Sequence, residues 1–478
     1  MSKYQTIIGL EIHLQLSTKS KAFASDDITF GGEPNTQTSI ISLAHPGTLP
    51  KLNKQQLAYA IRLGLAIGSK INPKNYFDRK NYSYPDLPKG YQITQDKEPI
   101  CIGGAMPIFV HGEWKNIRIH HIHMEEDAGK SIHDQNPNFS LVDLNRAGTP
   151  LLEIVTEPDL RSADEVEALM AGMRQLARYL EISDGNMQEG SLRCDVNISI
   201  RPNGQSTFGN RCEVKNLNSM KFARKAVAFE VNRQIQLTEN GSVVDQETLN
   251  FDPKTGETST LRTKENANDY RYLPDPDLPP ILVNQEMLAE QKDKLPILPW
   301  EAYELFSQKY NLSDDTVLQL ISDKSTADFA LNLLKKGNSA KAISNLIIQK
   351  LKPWCQENNC KFIDFPISEK QLVDFVQLID NQVVNNSIAY EKLLPLLFKN
   401  PQKSVQEIAE ENGLIQSSNT EELEKIIDGI LEQNPDKVRA YQNGKKGLIG
   451  FFMGQVMRAS KSKADPKISN KLLKEKLG

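Results

Sequence analysis

From Ile8 to Leu16 the sequence alternates strictly. Ile8, Leu10, Ile12, Leu14 and Leu16 fall on one face, and Gly9, Glu11, His13 and Gln15 on the other. A period of two dictates a strand with one buried face, because successive side chains leave a pleated backbone on opposite sides. The open face of such a strand ordinarily carries Lys, Thr and Ser. Here a carboxylate and an imidazole stand on it two residues apart. The pattern returns at 192–200, where Leu192, Cys194, Val196, Ile198 and Ile200 oppose Arg193, Asp195, Asn197 and Ser199. Weaker versions surround Glu153 (151–156) and place Arg211, Glu213 and Lys215 on one face (211–216). Taken singly, charged groups on the open face of an antiparallel sheet are ordinary. Four strands that repeat them predict one antiparallel sheet whose polar face is a reaction floor.

The rest of the chain organises around that floor. Residues 1 to about 290 hold the alternating runs and all seven histidines. Two helices are expected among them. One is opened by a capping box at Ser162 and Glu165 and reaches about Leu180; the other covers Ser219 to Leu237. The proline-dense stretch 273–280 interrupts regular structure. From about 295 the apolar spacing becomes helical, with Ser313, Ser339 and Ser368 as expected N-caps, and it stays helical beyond about 405. The fold class expected is therefore α+β, with 478 residues giving room for several domains.

Charge is informative only when divided. Between Pro435 and Gly478 eleven Lys or Arg face three acids, a local +8, so everything before carries −12 of the total −4. A basic tail on an acidic body predicts a polyanion held at one end. Gly447, Gly450, Phe451, Phe452, Met453 and Gly454 within it argue for a folded segment over a loose arm. Five cysteines (101, 194, 212, 355 and 360) form no closely spaced framework. No secretion signal and no bilayer-length apolar run is evident, which predicts a cytoplasmic protein without a membrane partner.

Gly129-Lys130-Ser131 ends like a P-loop, but the first glycine of that motif falls on Met124; the phosphate-cradling turn is therefore not expected. In the cluster His120, His121, His123, Glu125 and Glu126, alternation puts His121, His123 and Glu125 on one face and His120 and Glu126 on the other, so they cannot all ligate one ion. With no Cys-x-x-Cys present, structural zinc is not expected. Glu11, Glu126, Glu153 and Asp195, with His13 assisting, offer the oxygen-rich set that suits magnesium. In the block 77–92, Arg79, Lys80 and Lys89 are interleaved with Tyr82, Tyr84 and Tyr91. Two readings stand for it: a patch for phosphate and a stacked base, or a tyrosine-rich surface loop.

Longer motifs resolve the class. Gly9-Leu-Glu-Ile-His13, Phe77-Asp-Arg-Lys-Asn-Tyr82, 123–131, Val142-Asp-Leu-Asn-Arg146, 148–154, 189–195, Lys215-Asn-Leu-Asn-Ser219, 269–274 and 454–460 together make the chain resemble, over essentially its whole length, the B subunits of glutamyl/aspartyl-tRNA amidotransferases. The resemblance implies three domains: a catalytic cradle at 1–292, a helical domain at 293–404 and a tRNA-binding tail at 405–478. It also implies ATP- and magnesium-dependent activation of the side-chain carboxylate of misacylated Glu-tRNA(Gln) or Asp-tRNA(Asn). Amidation follows, with ammonia from a glutaminase A subunit, in a heterotrimer completed by a small C subunit. No serine- or cysteine-centred hydrolytic arrangement is visible in this chain, in keeping with a glutaminase carried elsewhere.

By the same resemblance, Glu11, His13, Glu126, Glu153 and Asp195 handle metal and phosphate, and Lys80 neutralises phosphate or guides the nucleophile. Arg79, Lys89 and Arg193 are expected to bind the nucleotide. Glu125, Glu189 and Glu213 are second choices that line or support the floor, as is Arg193. Some members of the family carry two zinc-binding cysteine pairs after the first strand; residues 23–27 and 39–44 contain none, so no zinc is expected. A free-standing carboxylate–amine ligase and a non-catalytic tRNA scaffold remain the alternatives. Activity without tRNA would mark the first, and absence of tRNA-dependent ATP turnover the second.

Overall fold

The structure, a computed structural model, describes residues 3–133, 138–263, 270–416, 420–460, 464 and 466–478. Asp269, the first residue of the 269–274 motif, lies outside them. The chain divides into two compact units, Met1–Ala302 and Tyr303–Gly478.

A ten-stranded sheet dominates the first unit. Its strands are β1 (Tyr4–Gln15), β2 (Lys70–Ile71), β3 (Cys101–Ile102), β4 (Ala105–Val110), β5 (Glu113–Glu126), β6 (Pro150–Thr156), β7 (Leu192–Pro202), β8 (Cys212–Leu217), β9 (Glu247–Asp252) and β10 (Glu257–Thr263). They run in the order β10-β9-β8-β7-β1-β6-β5-β3-β2, with β4 paired to β5 as a hairpin. The alternating segment is thus the central strand, antiparallel to β6 on one side and β7 on the other. One pair departs from the antiparallel expectation: β8 and β9 run parallel.

The apolar face behaves as its period dictates. Ile8, Leu10, Ile12, Leu14 and Leu16 are buried, as are Leu192, Cys194, Val196 and Ile198. Full burial of such side chains contributes about 1.5–3 kcal/mol each. They pack beneath three helices, α1 (Lys54–Ala66), α2 (Ala163–Tyr179) and α3 (Met220–Glu239), which supply Leu57 and Ile61, Leu169 and Met173, and Ala223 and Val227 to one continuous core. The Cys194 sulfur lies 3.5 Å from that of Met170, so this thiol belongs to the core and not to the floor.

The helix starts follow the sequence closely, with one difference. Ser162 caps α2 by accepting from the Glu165 N–H. The reciprocal half of the expected capping box is replaced, because the Glu165 carboxylate accepts instead from the Arg161 N–H at 2.6 Å and from Lys115 at 2.8 Å. Ser219 caps α3 through the Phe222 N–H.

The second unit is helical. It includes α4 (Lys324–Lys336), α5 (Lys352–Glu357), α6 (Glu369–Asp380), α7 (Thr420–Gln433), α8 (Ile449–Ala459) and α9 (Pro466–Leu477). Ser368 forms a complete capping box with Gln371 at the start of α6. Ser313 and Ser339 precede helices but cap neither through their side chains. Residues from Leu423 to Leu477 gather a core of their own around Ile427, Phe452, Val456 and Leu473. No helix among the described residues is long and apolar enough to cross a membrane.

Candidate active site

Strand register assembles the floor. Glu11 stands opposite Asp195, and His13 opposite both Arg193 and Glu153, while Glu153 in turn faces His123. Two groups of ionisable side chains result, each including one residue of β1. His13, Glu125 and Glu153 bring one ligand atom each to within 4.8 Å of one another, and so do Glu11, Asp195 and Glu213.

The first group is tightly paired. Glu153 accepts from His13 at 3.4 Å and from His123 at 3.3 Å, and Glu125 lies 3.7 Å from His123 and accepts from the Thr94 hydroxyl at 3.1 Å. Burial opposes charge on these groups, but the two imidazoles win at Glu153 and hold its carboxyl well below the usual range. Burial lowers the pKa of His123, whereas Glu153 and Glu125 outweigh it and lift the imidazole to about 10. Beyond it, His121 meets His123 at 3.1 Å; burial and the neighbouring imidazoles push its pKa down to about 4.

The second group is an acidic cluster balanced by a lysine. The Lys215 ammonium donates to Asp195 at 2.7 Å and reaches Glu213 at 2.9 Å. The Asn197 amide donates to Glu11 at 2.9 Å, and the Thr248 hydroxyl to Glu213 at 3.1 Å. Burial, then Glu153, Glu213 and Asp195, raise the Glu11 carboxyl against the help of Asn197. An open cleft of about 490 Å³ begins at Glu11 and Asn197 and extends past Gly9, Ser199 and Arg211 to Phe208.

The remaining site candidates are placed in different surroundings. Lys80, on the short strand Asp78–Asn81, lies over the Tyr270 ring at 5.1 Å. Burial would discharge it, but Glu125, Tyr272 and Glu153 hold its pKa above the ordinary lysine value. Arg193 donates to Asp127 at 2.8 Å, and Asp127 also accepts from Gln15 at 2.6 Å; the buried Arg193 Nε has no partner. Arg79 is held by Asp275 and Asp277, both at 2.8 Å, and stacks over Tyr91. Glu126 is in neither acidic group. It pairs with Lys89 and accepts from the Ile93 N–H at 2.9 Å. Both residues line a separate cleft of about 310 Å³ together with Lys21. Adjacent carboxylates leave a strand on opposite sides, so Glu125, a second choice by sequence, is the one that joins His13 and Glu153.

Sequence reasoning gave no role to His123, Lys215, Asn197, Thr94 or Asp127. The first three carried a signal, since each lies on the polar side of an alternating run. Thr94 and Asp127 arrive from a short strand and a turn whose positions no periodicity encodes. In the segment after β1, where cysteine pairs are absent, Asp26 accepts from Ser39 at 3.0 Å and from Ser42. Side-chain hydrogen bonds thus tie this segment together.

Known proteins resemble this chain along almost its whole length. Residues 6–289 match the GatB/GatE catalytic domain, and residues 328–477 the GatB domain. The chain belongs to the GatB family. It is 46% identical over 475 residues to the B subunit of the aspartyl/glutamyl-tRNA(Asn/Gln) amidotransferase of Trichlorobacter lovleyi, covering 99% of each chain. The like-named protein of Geobacter sulfurreducens is 46% identical over 477 residues, with 99% of each covered. That of Persephonella marina is 44% identical over 476 residues, covering 99% of this chain and all of its own. Every group on the floor falls within the stretch matched to the GatB/GatE catalytic domain.

Proposed function

We propose that this GatB-family chain activates the side-chain carboxylate of Glu-tRNA(Gln) or Asp-tRNA(Asn) with ATP and amidates it with ammonia supplied by a partner glutaminase. The observation that carries the reading is the pair of acid-rich groups on β1 and its neighbours. A carboxylate is a poor electrophile with a poor leaving group, so phosphorylation must precede amidation, and phosphoryl transfer is catalysed chiefly by placed charge.

The donor chemistry fits hard divalent cations. Glu11, Asp195 and Glu213 present only oxygen, and Glu125 and Glu153 add two more carboxylates beside His13; magnesium favours such donors. The Lys215 ammonium between Asp195 and Glu213 already marks a place where positive charge is favoured. When bound, the cations neutralise phosphate oxygens. The chain's own part is to hold those carboxylates in register, to keep Lys80 charged beside Glu125, and to fix Arg193 on Asp127. The cleft from Glu11 to Phe208 is the seat we assign to the nucleoside, since it opens directly on the all-carboxylate group and ends on an exposed ring suited to stacking a base. Arg79 and Lys89, held by Asp275, Asp277 and Glu126, line the separate cleft beside Lys21, where they offer positive charge to phosphate.

The same reading assigns 1–292 to catalysis, 293–404 to a helical domain and 405–478 to tRNA binding, in a cytoplasmic heterotrimer with A and C subunits. Its test is amide formation from labelled Glu-tRNA(Gln), Mg-ATP and glutamine by the reconstituted assembly. Asp195→Ala is expected to abolish product while the three chains still co-purify. A variant that forms amide at the wild-type rate would remove the floor from the mechanism.

A further inference from the structure

The second unit contains a pair of thiols that the proposed chemistry does not use. Helix α5 ends in a closed turn: the Cys360 N–H donates to the Cys355 carbonyl at 3.0 Å, and the Asn359 N–H to the Gln356 carbonyl at 3.3 Å. Asn359 takes the left-handed conformation, with φ +48°. This is the nested 6→1 and 5→2 pattern in which the side chains at the outer ends of the turn meet and seal the helix terminus. Those positions are ordinarily apolar. Here both are cysteine.

We propose that Cys355 and Cys360 are a peroxide-responsive dithiol that closes to a disulfide within the turn. Both cysteines are free thiols, and the turn seats them at its two outer ends. Bridging requires the two backbones to stay close, and the Cys360 N–H to Cys355 carbonyl bond already holds them so. The flanking aromatic residues anchor both sides of the turn. Trp354 stacks on Phe398 at 4.6 Å, and Phe362 stacks on Phe329 of α4 at 4.4 Å.

Exposure divides the roles. Cys360 is partly open to solvent, whereas Cys355 is buried, and burial with the neighbouring Cys360 pushes its thiol up to about 12. Cys360 therefore reacts first, because the accessible thiolate is the nucleophile toward peroxide. Its sulfur attacks one peroxide oxygen, the O–O bond breaks, and water leaves with the thiol proton. The Cys355 sulfur then attacks the sulfenic sulfur; an S–S bond forms, the S–O bond breaks, and hydroxyl departs with the Cys355 proton as a second water. Two thiols are oxidised and one peroxide is reduced. Cys101, Cys194 and Cys212 lie buried in the first unit with thiols raised by burial, and they are the internal controls.

The test is brief treatment of the reduced full-length chain with hydrogen peroxide, alkylation of remaining thiols, trypsin digestion and mass spectrometry. Residues 351–361 form one tryptic peptide holding both cysteines, because Pro353 blocks cleavage after Lys352. The expected result is that peptide two hydrogens lighter and unalkylated, restored by dithiothreitol, while Cys101, Cys194 and Cys212 alkylate once the chain is denatured. Cys355→Ser is expected to leave Cys360 as a sulfenic acid that dimedone traps. A peptide in which Cys360 proceeds to sulfinic acid beside a free Cys355, or in which both remain thiols, would reduce the pair to an apolar helix seal.

Discussion

Lys21 shows how a residue can be costly to the fold and still be kept. Its side chain is 1% exposed, its ammonium is 3.9 Å from Asp26, and its nearest carbonyl, that of Leu144, is 3.4 Å away. Neither contact fully compensates for lost water, and burial lowers its pKa to about 8 against the pull of Asp26 and Glu126. The folded chain thus binds this proton less tightly than the unfolded chain does. The penalty is complete below pH 8, fades as pH rises through it, and is gone above the unfolded value near 10.5. Lys21→Met is expected to stabilise the chain by up to about 2 kcal/mol at pH 7 and by much less at pH 9.5, read from urea unfolding at both values. An equal effect at the two pH values would show that the proton is not responsible. The glutamates at 125 and 126 mark the limit of sequence reading at this scale. Composition identifies an acidic pair; only knowledge of which strand face meets Glu153 says which of the two joins the floor.

Among the elements, the strands were the most legible and their neighbours the least. Alternation over 8–16 and 192–200 sorted the side chains of β1 and β7 there onto their two faces, since one buried side leaves a strand no second choice. The order of strands followed from nothing local. Glu213 reaches Asp195 because β8 lies beside β7, and Thr248 reaches Glu213 because β9 runs parallel to β8. The start of α2 was half legible. Ser162 caps it as expected, but the β5 residue Lys115 competes for Glu165, a tertiary contact that a local motif cannot contain. Ser162→Ala is expected to cost about 1 kcal/mol, measured as a lower denaturation midpoint with an unchanged slope. Because α2 covers the buried side of the sheet, the same variant should leave magnesium-dependent activity intact at low temperature. A drop in activity at unchanged stability would mean that the cap acts on the floor directly.

For the whole molecule, charge and chemistry occupy different stretches of chain. The floor draws on residues 11 to 215, whereas the net +8 lies between 435 and 478. Reversing Lys471 and Lys474 to glutamate, both on α9, is expected to weaken tRNA binding and to flatten its dependence on salt, since fewer neutralised phosphates release fewer counterions. Filter binding across a salt series reads both quantities, and an unchanged slope would place the tRNA-binding surface elsewhere. The floor itself has a dimension that no loop can alter. Glu11 and His13, the β1 members of its two groups, are separated by two residues of one extended strand, a step of about 6.6 Å. Side chains flex and connecting segments lengthen over evolutionary time, but that interval is cut into the covalent backbone. On the proposed reading β1 is a gauge block for the site, presetting how far apart two bound charges can stand before either arrives.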